Sequence, residues 1–168
     1  MMDFSGLVAT HQRGLLALAR RLVWDSEDAR DVLQLALADA WARRGSLKDS
    51  RAAEAWLRRI VVHRAMSCLR RRRVWRVIGA LFLVEPEAAP DPDEALARAT
   101  HLAALAAALE GLPARQATAF SLRYLEGLSI DEVAFALDCE RGTARTHLQR
   151  AVVALRARGV LPQTEENR

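Results

Sequence analysis

Hydrophobic residues recur three or four positions apart along most of the 168-residue chain. This spacing places apolar side chains on one face of an α-helix. Proline (5 residues) and glycine (8 residues) are few, and runs of β-branched residues are short. The pattern therefore predicts an all-α protein, with helices over about 3–23, 26–44, 52–74, 94–109 and 116–126 and two more within 129–158.

The last two predicted helices form a helix-turn-helix pattern. In the first, Ile130 begins an apolar stripe that ends at Leu137, and Ser129 with Glu132 has the spacing of a capping box. Asp138 and Cys139 form a short polar break before the second helix, which is a length typical of a helix-turn-helix. Off the apolar stripe of the second helix lie Arg141, Arg145, Thr146, Gln149 and Arg150, side-chain types that suit phosphates and base edges.

The first three predicted helices form a separate group. Ser26 is the predicted N-cap of the second helix, and acidic residues follow it at the positive end of the helix dipole. Trp41 and Trp56 are predicted to lie in the core of this group. The outer face of the third helix carries many arginines, including the run from Arg70 to Arg73.

A proline-rich acidic segment separates the two groups. Residues 85–93 (EPEAAPDPD) hold three prolines and four acids, which is incompatible with a regular helix throughout. We therefore expect two small helical domains joined by a flexible acidic linker: a three-helix domain over 1–76, a linker over 77–93, a helix-turn-helix domain over 94–160 and a tail over 161–168.

Charge is distributed unevenly over these segments. Residues 1–76 hold 16 Lys/Arg and 8 Asp/Glu, a difference of +8; residues 77–100 hold 1 and 5, giving −4; residues 101–168 hold 8 and 8, giving 0. Of the basic residues only Lys48 is a lysine. This arginine bias is compatible with planar contacts to phosphate and guanine, and equally with a GC-rich genome.

Several functional classes lack support in the sequence. No apolar run approaches the roughly 20 residues that a membrane-spanning helix needs, and the start of the chain lacks a signal-peptide pattern. We therefore expect a cytoplasmic protein whose two cysteines, Cys68 and Cys139, are reduced thiols. No metal-ligand spacing, catalytic triad or phosphate-binding loop is present, so we expect no enzyme activity, no cofactor and no small-molecule substrate.

The order of these features resembles the extracytoplasmic-function sigma factors of bacterial RNA polymerase, in the sigma-70 family. Motifs similar to region 4 of that family are Leu112-Pro113-x-Arg115-Gln116, Leu122 to Ser129, Asp131 to Ala134, Gly142-Thr143 and Leu148 to Ala151. Motifs similar to region 2 are Asp28-Ala29, Asp31 to Gln34, Ala40-Trp41, Ala55 to Ile60 and Arg70 to Arg73.

The resemblance implies partners and sites for this chain. It implies binding to core polymerase and promoter DNA, and an anti-sigma factor as a further partner. Polymerase-binding residues would be Asp28, Asp31 and Gln34. Minus-10 DNA-binding residues, next to a base held out of the stack, would be Lys48, Arg59, His63, Arg64, Ser67, Arg70 and Arg71. Minus-35 DNA-binding residues would be Arg141, Thr143, Arg145, Thr146, His147, Gln149 and Arg150.

The chain also departs from the family pattern. Many members carry Asn where His63 stands and Asp where Ser67 stands, which bears on minus-10 preference and on promoter melting. The usual glycine of the turn is Asp138, which tolerates a left-handed backbone better than most residues. The usual serine cap of the second helix is Glu140, a poorer cap.

Two alternative functions stay open at this point. A stand-alone helix-turn-helix regulator would bind duplex DNA without polymerase. A degenerate sigma-like interaction protein would bind polymerase or an anti-sigma factor without opening promoters.

Overall fold

Seven helices account for most of the chain, and the computed structural model describes residues 4–47, 49–81 and 94–162. No strand occurs within these ranges. None of the helices in them combines the length and apolar character needed to cross a membrane. The helices are α1 (Phe4–Val23), α2 (Ser26–Ala42), α3 (Ala53–Leu81), α4 (Glu94–Glu110), α5 (Ala114–Phe120), α6 (Ile130–Leu137) and α7 (Arg141–Ala157).

Helices α1, α2 and α3 pack against one another and form what we call the N-terminal unit. Five aliphatic side chains from the three helices are each no more than 3% exposed: Leu18 and Leu22 of α1, Val32 of α2, and Leu57 and Val61 of α3. Burying aliphatic side chains of this size contributes about 1.5–3 kcal/mol each. A mainly aliphatic core therefore holds the helix that carries most of the arginines.

The N-cap of α2 is Asp25, so the prediction of Ser26 was wrong. Asp25 has an extended backbone, and its carboxylate accepts hydrogen bonds from the backbone N–H groups of Glu27 (2.9 Å) and Asp28 (2.8 Å). These bonds hold the pKa of Asp25 below its ordinary value, most strongly the one from Asp28. Ser26 is already the first helical residue, so its side chain is one position too late to cap.

Trp41 does not lie in the core, contrary to the prediction. It is 52% exposed, because each helical residue turns by about 100° and the buried stripe of α2 runs through Ala36 and Ala40. Its ring meets the edge of Phe4 at 5.3 Å between centroids, and the Arg44 guanidinium lies 4.0 Å from the ring centre. Trp56 is half-buried.

Helix α3 is longer than predicted. It continues beyond residue 74 to Leu81, because the sequence offers no proline before Pro86 to end it. The first residues of the predicted linker are therefore helical, and the rest of that prediction, residues 82–93, lies outside the described residues, as does 163–168 of the predicted tail.

Helices α4 to α7 form what we call the C-terminal unit. Leu109, Leu112, Phe120, Ala151 and Leu155 form its own buried cluster. The predicted helix over 116–126 begins earlier, after Pro113, which serves as the N-cap of α5. After Phe120 the backbone widens into a π-helical turn, Ser121–Leu125, which then leads to Gly127 in the left-handed region (φ 71°).

The two units pack together, an arrangement that the sequence left undetermined. The buried cluster of the N-terminal unit continues into Leu122, Val133 and Leu137 of the C-terminal unit. Helix α3 contacts both α5 and α6. The arginine-rich helix is therefore also the main contact between the units.

Candidate nucleic-acid interface

Helix α7 presents one polar face to solvent. Its buried residues are Ala144, Ala151 and Leu155, which fix the helix against α5 and α6. Six of the seven residues predicted to contact the minus-35 element are exposed: Arg141, Thr143, Arg145, Thr146, Gln149 and Arg150. This face combines guanidinium, hydroxyl and amide groups, the donors and acceptors that read phosphates and base edges.

His147 is the exception among these seven residues. It is half-buried, and within the described part of the chain its buried Nδ1 atom has no hydrogen-bond partner. Burial, and then the charges of Arg115 and Arg150, lower the pKa of His147. The imidazole therefore lies at the edge of the exposed face and is disfavoured from carrying a positive charge.

The turn before α7 is fixed by local hydrogen bonds. The predicted capping box is confirmed: Ser129 Oγ accepts from the Glu132 N–H (3.3 Å), and the Glu132 carboxylate accepts from the Ser129 N–H (2.8 Å). Asp138 ends α6 in the left-handed region (φ 53°, ψ 57°), as predicted, a conformation that costs most residues about 1–2 kcal/mol. Glu140 makes no side-chain cap for α7, also as predicted.

Arg115 supports the same turn from α5. Its Nη1 donates a hydrogen bond to the carbonyl oxygen of Leu137 (3.1 Å), at the end of α6. Carbonyls at a helix C-terminus lack partners within the helix. Arg115 therefore ties the start of α5 to the turn that orients α7.

A cleft of about 740 Å³ lies beside α3, where the two units meet. Five of the residues predicted to contact the minus-10 element line it: Arg59, His63, Arg64, Ser67 and Arg70. Lys48 lies outside the described residues. Arg71 faces a second cleft, of about 250 Å³, which it shares with Asp28 and Asp31 of α2.

Two arginines of the larger cleft already hold carboxylates. Arg64 makes a two-pronged contact with Asp39 of α2, at 2.6 and 2.5 Å, and this contact holds the pKa of Asp39 below its ordinary value. Arg59 contacts Asp138 of the α6–α7 turn at 2.5 Å and lies 5.1 Å from the centre of the Phe135 ring. Arg64 is thus oriented within its own unit, whereas Arg59 reaches across to the other.

His63 faces the larger cleft with an unsatisfied nitrogen. Its Nε2 atom is buried and has no hydrogen-bond partner among the described residues. Burial, and then the charge of Arg59, lower the pKa of His63. Ser67 Oγ donates to the His63 carbonyl (3.0 Å) and accepts from Arg70 Nη2 (2.9 Å), so Ser67 presents its hydroxyl along the helix.

The arginine run at the end of this face does not act as one group. Arg70, Arg71 and Arg73 are exposed. Arg72 instead turns inward, where it donates to the Val23 carbonyl (2.7 Å) and pairs with Asp28 (3.3 Å) and Glu110 (3.5 Å). Three of the four arginines are therefore directed toward solvent.

The predicted polymerase-binding residues lie on α2. Asp31 and Gln34 are exposed, whereas Asp28 is half-buried and pairs with Arg72. Leu35, next to them and 49% exposed, lines the smaller cleft with both aspartates. The sequence prediction missed Leu35, although an apolar residue off the buried stripe of an amphipathic helix was a usable signal.

Sequence reasoning also missed residues that complete the larger cleft. Arg43, from the end of α2, and Arg115, from the C-terminal unit, both line it. Arg43 could have been included from sequence, because it lies in the arginine-rich half of the chain. Arg115 depends on how the two units pack, which local sequence does not encode.

Neither cysteines nor other ligand residues form a metal site in the described part of the chain. Cys68 and Cys139 are free thiols, and burial raises the pKa of each. In the same ranges no cluster of three or more His, Cys, Asp or Glu residues has a metal-binding arrangement.

Two family models match this chain, in the order of the two units. The Sigma-70 region 2 model matches residues 7–74, and the Sigma-70, region 4 model matches residues 102–155. The first range contains the α2 and α3 faces described above, and the second contains the helix-turn-helix.

Similar proteins are known over nearly the whole length. The RNA polymerase sigma-E factor of Streptomyces coelicolor is 35% identical over 156 residues, covering 93% of this chain and 85% of that protein. The ECF RNA polymerase sigma factor SigM of Mycobacterium tuberculosis is 34% identical over 148 residues, covering 88% of this chain and 72% of that protein.

Two solved structures have a similar shape, and the first is described as a sigma factor. The sigma factor RpoE of Bartonella quintana, crystallised with the anti-sigma factor NepR, superposes with a TM-score of 0.66 at 25% identity, covering 97% of this chain and all of that one. CnrH, solved with the cytosolic domain of CnrY, superposes with a TM-score of 0.58 at 25% identity, covering 92% of this chain and 85% of that one. With both regions matched in order, the chain belongs to the sigma-70 family, as an extracytoplasmic-function RNA polymerase sigma factor.

Proposed function

We propose that this chain is an alternative sigma subunit that directs RNA polymerase core enzyme to a specific set of promoters. The observation that carries the proposal is the presence of two separate arginine-bearing faces, on α3 and α7, within ranges that match region 2 and region 4. A regulator that binds only duplex DNA has no need of the first face. The chain acts with polymerase as an initiation factor in the cytoplasm, and it is not itself an enzyme.

The exposed face of α7 is the proposed reader of the upstream promoter element. A helix fits the major groove of B-DNA, where each base pair presents a distinct pattern of donors and acceptors. Arg145 and Gln149 are exposed side chains suited to base edges. Arg141 already contacts Asp131 at 3.4 Å, with both side chains more than half exposed, so its proposed contact is with phosphate.

The α3 face is the proposed site for the opened minus-10 element. Unstacking a base costs a few kcal/mol, which contacts to the extruded base and the single strand must recover. The large cleft offers volume for a base, and its wall includes Arg43, Arg70 and Arg115. Their charge supports a contact with the strand backbone.

The exposed part of α2 is the proposed polymerase contact. Asp31 and Gln34 provide polar groups, and Leu35 adds an apolar side chain beside them. An exposed apolar residue with a polar rim is the usual composition of a protein interface. Asp28 contributes less directly, because it already pairs with Arg72.

An anti-sigma factor is the proposed regulatory partner. Two proteins of similar fold, RpoE of Bartonella quintana and CnrH, are each described in complex with a partner, named an anti-sigma factor in the first case. The packed arrangement of the two units gives such a partner a continuous surface to hold.

Reconstitution with purified core polymerase on a library of genomic DNA fragments tests this function. Promoter-specific transcripts that require the protein would support a sigma subunit. Sequence-specific DNA binding without polymerase, and no transcripts with it, would favour a stand-alone regulator. Polymerase binding without transcripts would favour a sigma-like interaction protein.

A further inference from the structure

Among the residues that the structure describes, three ion pairs cross the boundary between the two units. They are Arg21–Glu126 (2.7 Å), Arg59–Asp138 (2.5 Å) and Arg72–Glu110 (3.5 Å). In each pair the arginine belongs to the N-terminal unit and the carboxylate to the C-terminal unit. The excess positive charge of the first unit is therefore met in part by acids of the second.

The Arg59–Asp138 pair differs from the other two in what each partner is expected to do. Arg59 lies on the α3 face proposed to bind the minus-10 strand. Asp138 lies in the turn that orients α7, the proposed minus-35 reader. The Asp138 carboxylate binds the Arg59 guanidinium, the group that a DNA phosphate would bind. Carboxylate and phosphate oxygens bind arginine in similar ways.

The backbone at Asp138 also requires an explanation. Among the described residues, the non-glycine residues with positive φ are Asp138 (53°) and Trp24 (57°). Both lie at the boundary between the units: Trp24 packs on the buried cluster of the C-terminal unit, and Asp138 contacts Arg59. Glycine would take the left-handed conformation at less cost, so an aspartate there indicates that the side chain is needed.

We propose that Asp138 is an internal competitor of DNA for Arg59, and that the Arg59–Asp138 pair is a latch that favours the closed arrangement of the two units. This proposal rests on the proposed function, because it assigns Arg59 to the DNA-binding face. In the closed state Arg59 is occupied and the larger cleft is bounded on one side by Arg115 and Asp138 of the C-terminal unit. Loss of the pair shifts the population toward the open arrangement, in which the α3 face is free.

The latch is adjustable because it is small compared with the apolar contact beside it. The Asp138 side chain is 60% exposed and that of Arg59 is 34% exposed, so salt screens their attraction. In this proposal core polymerase and a long DNA site bind the open state, and the pair adds a modest, salt-dependent part to a cost of opening that the apolar contact mainly sets.

The closed and open populations can be measured directly by single-molecule fluorescence transfer in the full chain. Donor and acceptor dyes on the exposed positions 30 and 153, in α2 and α7, report the distance between units once both native cysteines are replaced by alanine. Asp138→Asn removes the charge but keeps a residue that tolerates the left-handed backbone. Arg59→Gln removes the other partner, and Asp131→Asn, which removes the carboxylate of an exposed pair within the C-terminal unit, is the matched control.

We expect Asp138→Asn and Arg59→Gln each to lower the closed-to-open ratio by about two- to fivefold, the range of a partly exposed ion pair. The double variant should lower it no further than Arg59→Gln, which also removes the contact with the Phe135 ring, because without Arg59 the Asp138 change has no contact left to remove. Asp131→Asn should leave the ratio unchanged. Equal ratios in the wild-type chain and Asp138→Asn, or independent effects that multiply in the double variant, would overturn the latch.

A second readout uses unlabelled protein and core polymerase. Asp138→Asn should bind core enzyme with an apparent affinity higher by the same factor as its gain in open population. An unchanged or weaker affinity would count against the latch. Failure of the proposed function would look different, because the wild-type chain and every variant would then give no promoter transcripts while the fluorescence ratios still reported the latch.

Discussion

At the scale of single residues, Arg145 gives the most direct test of the proposed DNA recognition. It is exposed on α7, opposite the buried Ala144 and Ala151 side. Arg145→Ala should weaken holoenzyme binding at the upstream element by about 1–3 kcal/mol if the side chain contacts a base, with relaxed preference at that position. If the contact is to phosphate, the slope of the logarithm of the binding constant against the logarithm of salt concentration should instead become shallower by about one.

The control for Arg145 is Arg13→Ala, which removes an exposed arginine from α1. Promoter occupancy should be measured for both variants across a salt series. Equal occupancy for Arg145→Ala and the wild-type chain at every salt concentration would remove this residue from the proposed interface.

His63 gives a prediction about pH. Burial lowers its pKa below the ordinary 6.5, so between the lowered value and 6.5 the unfolded chain binds more protons than the folded chain. The free energy of unfolding should therefore fall as pH drops through this interval, with no contribution from His63 well above it. Denaturant unfolding between pH 5 and pH 8 should show a shallower fall for His63→Gln, and profiles of identical slope would contradict this account.

What sequence reveals about residues depends on how local their contacts are. The capping box at Ser129 and the left-handed Asp138 were predictable, since each depends on neighbours within a few positions. The prediction that Trp41 lies in the core was wrong, because one step along a helix moves a side chain off the buried stripe. The partner of Arg59 could not be predicted, because it lies 79 positions away in the chain.

At the scale of elements, the helix-turn-helix depends on the cap of α6. Ser129→Ala removes the acceptor for the Glu132 N–H and should lower the free energy of unfolding by about 0.5–2 kcal/mol. Ser26→Ala is the matched control, because Asp25 rather than Ser26 caps α2. Chemical denaturation measures both, and an equal loss in the two variants would contradict the assignment of the caps.

Most elements followed from periodicity, and their boundaries followed less well. The apolar spacing indicated each of the seven α-helices α1 to α7. The extension of α3 to Leu81 and the π-helical turn at Ser121–Leu125 left no such signal. A π turn adds one residue to a helical turn so that flanking side chains meet the packing around them, and tertiary contacts rather than propensity select it.

At the scale of the whole molecule, the exposed face of α2 should determine binding to polymerase. Replacement of both Asp31 and Gln34 by alanine removes two exposed polar groups and should weaken binding to core enzyme by about tenfold or more, as for residues central to an interface. The free energy of unfolding should change by no more than about 0.5 kcal/mol, since both side chains are on the surface.

The matched control for that variant is Glu27→Ala, which removes an exposed acid from the first turn of the same helix. Co-purification with core polymerase and denaturant unfolding should be measured together. Normal recovery of core enzyme by the double alanine variant would argue against the α2 contact.

The packing of the two units was the feature least accessible to sequence analysis. The uneven charge, +8 over residues 1–76 and 0 over residues 101–168, was visible, but it does not specify which arginine meets which acid. The shared core through Val61 and Leu137 arises from residues that local patterns mark only as buried. Five residues that line the α3 cleft were among those named from sequence, whereas the closure of that cleft by Arg115 and Asp138 was not predicted.

The central claim is that one chain brings polymerase to promoters through two DNA contacts. The most direct measurement maps transcript 5′ ends genome-wide after overexpression of the wild-type chain, beside the double Asp31→Ala, Gln34→Ala variant. The account predicts new 5′ ends preceded by two short shared sequence elements at a constant spacing, and far fewer of them with the variant. An unchanged set of 5′ ends, or new ones that share only a single element, would contradict it.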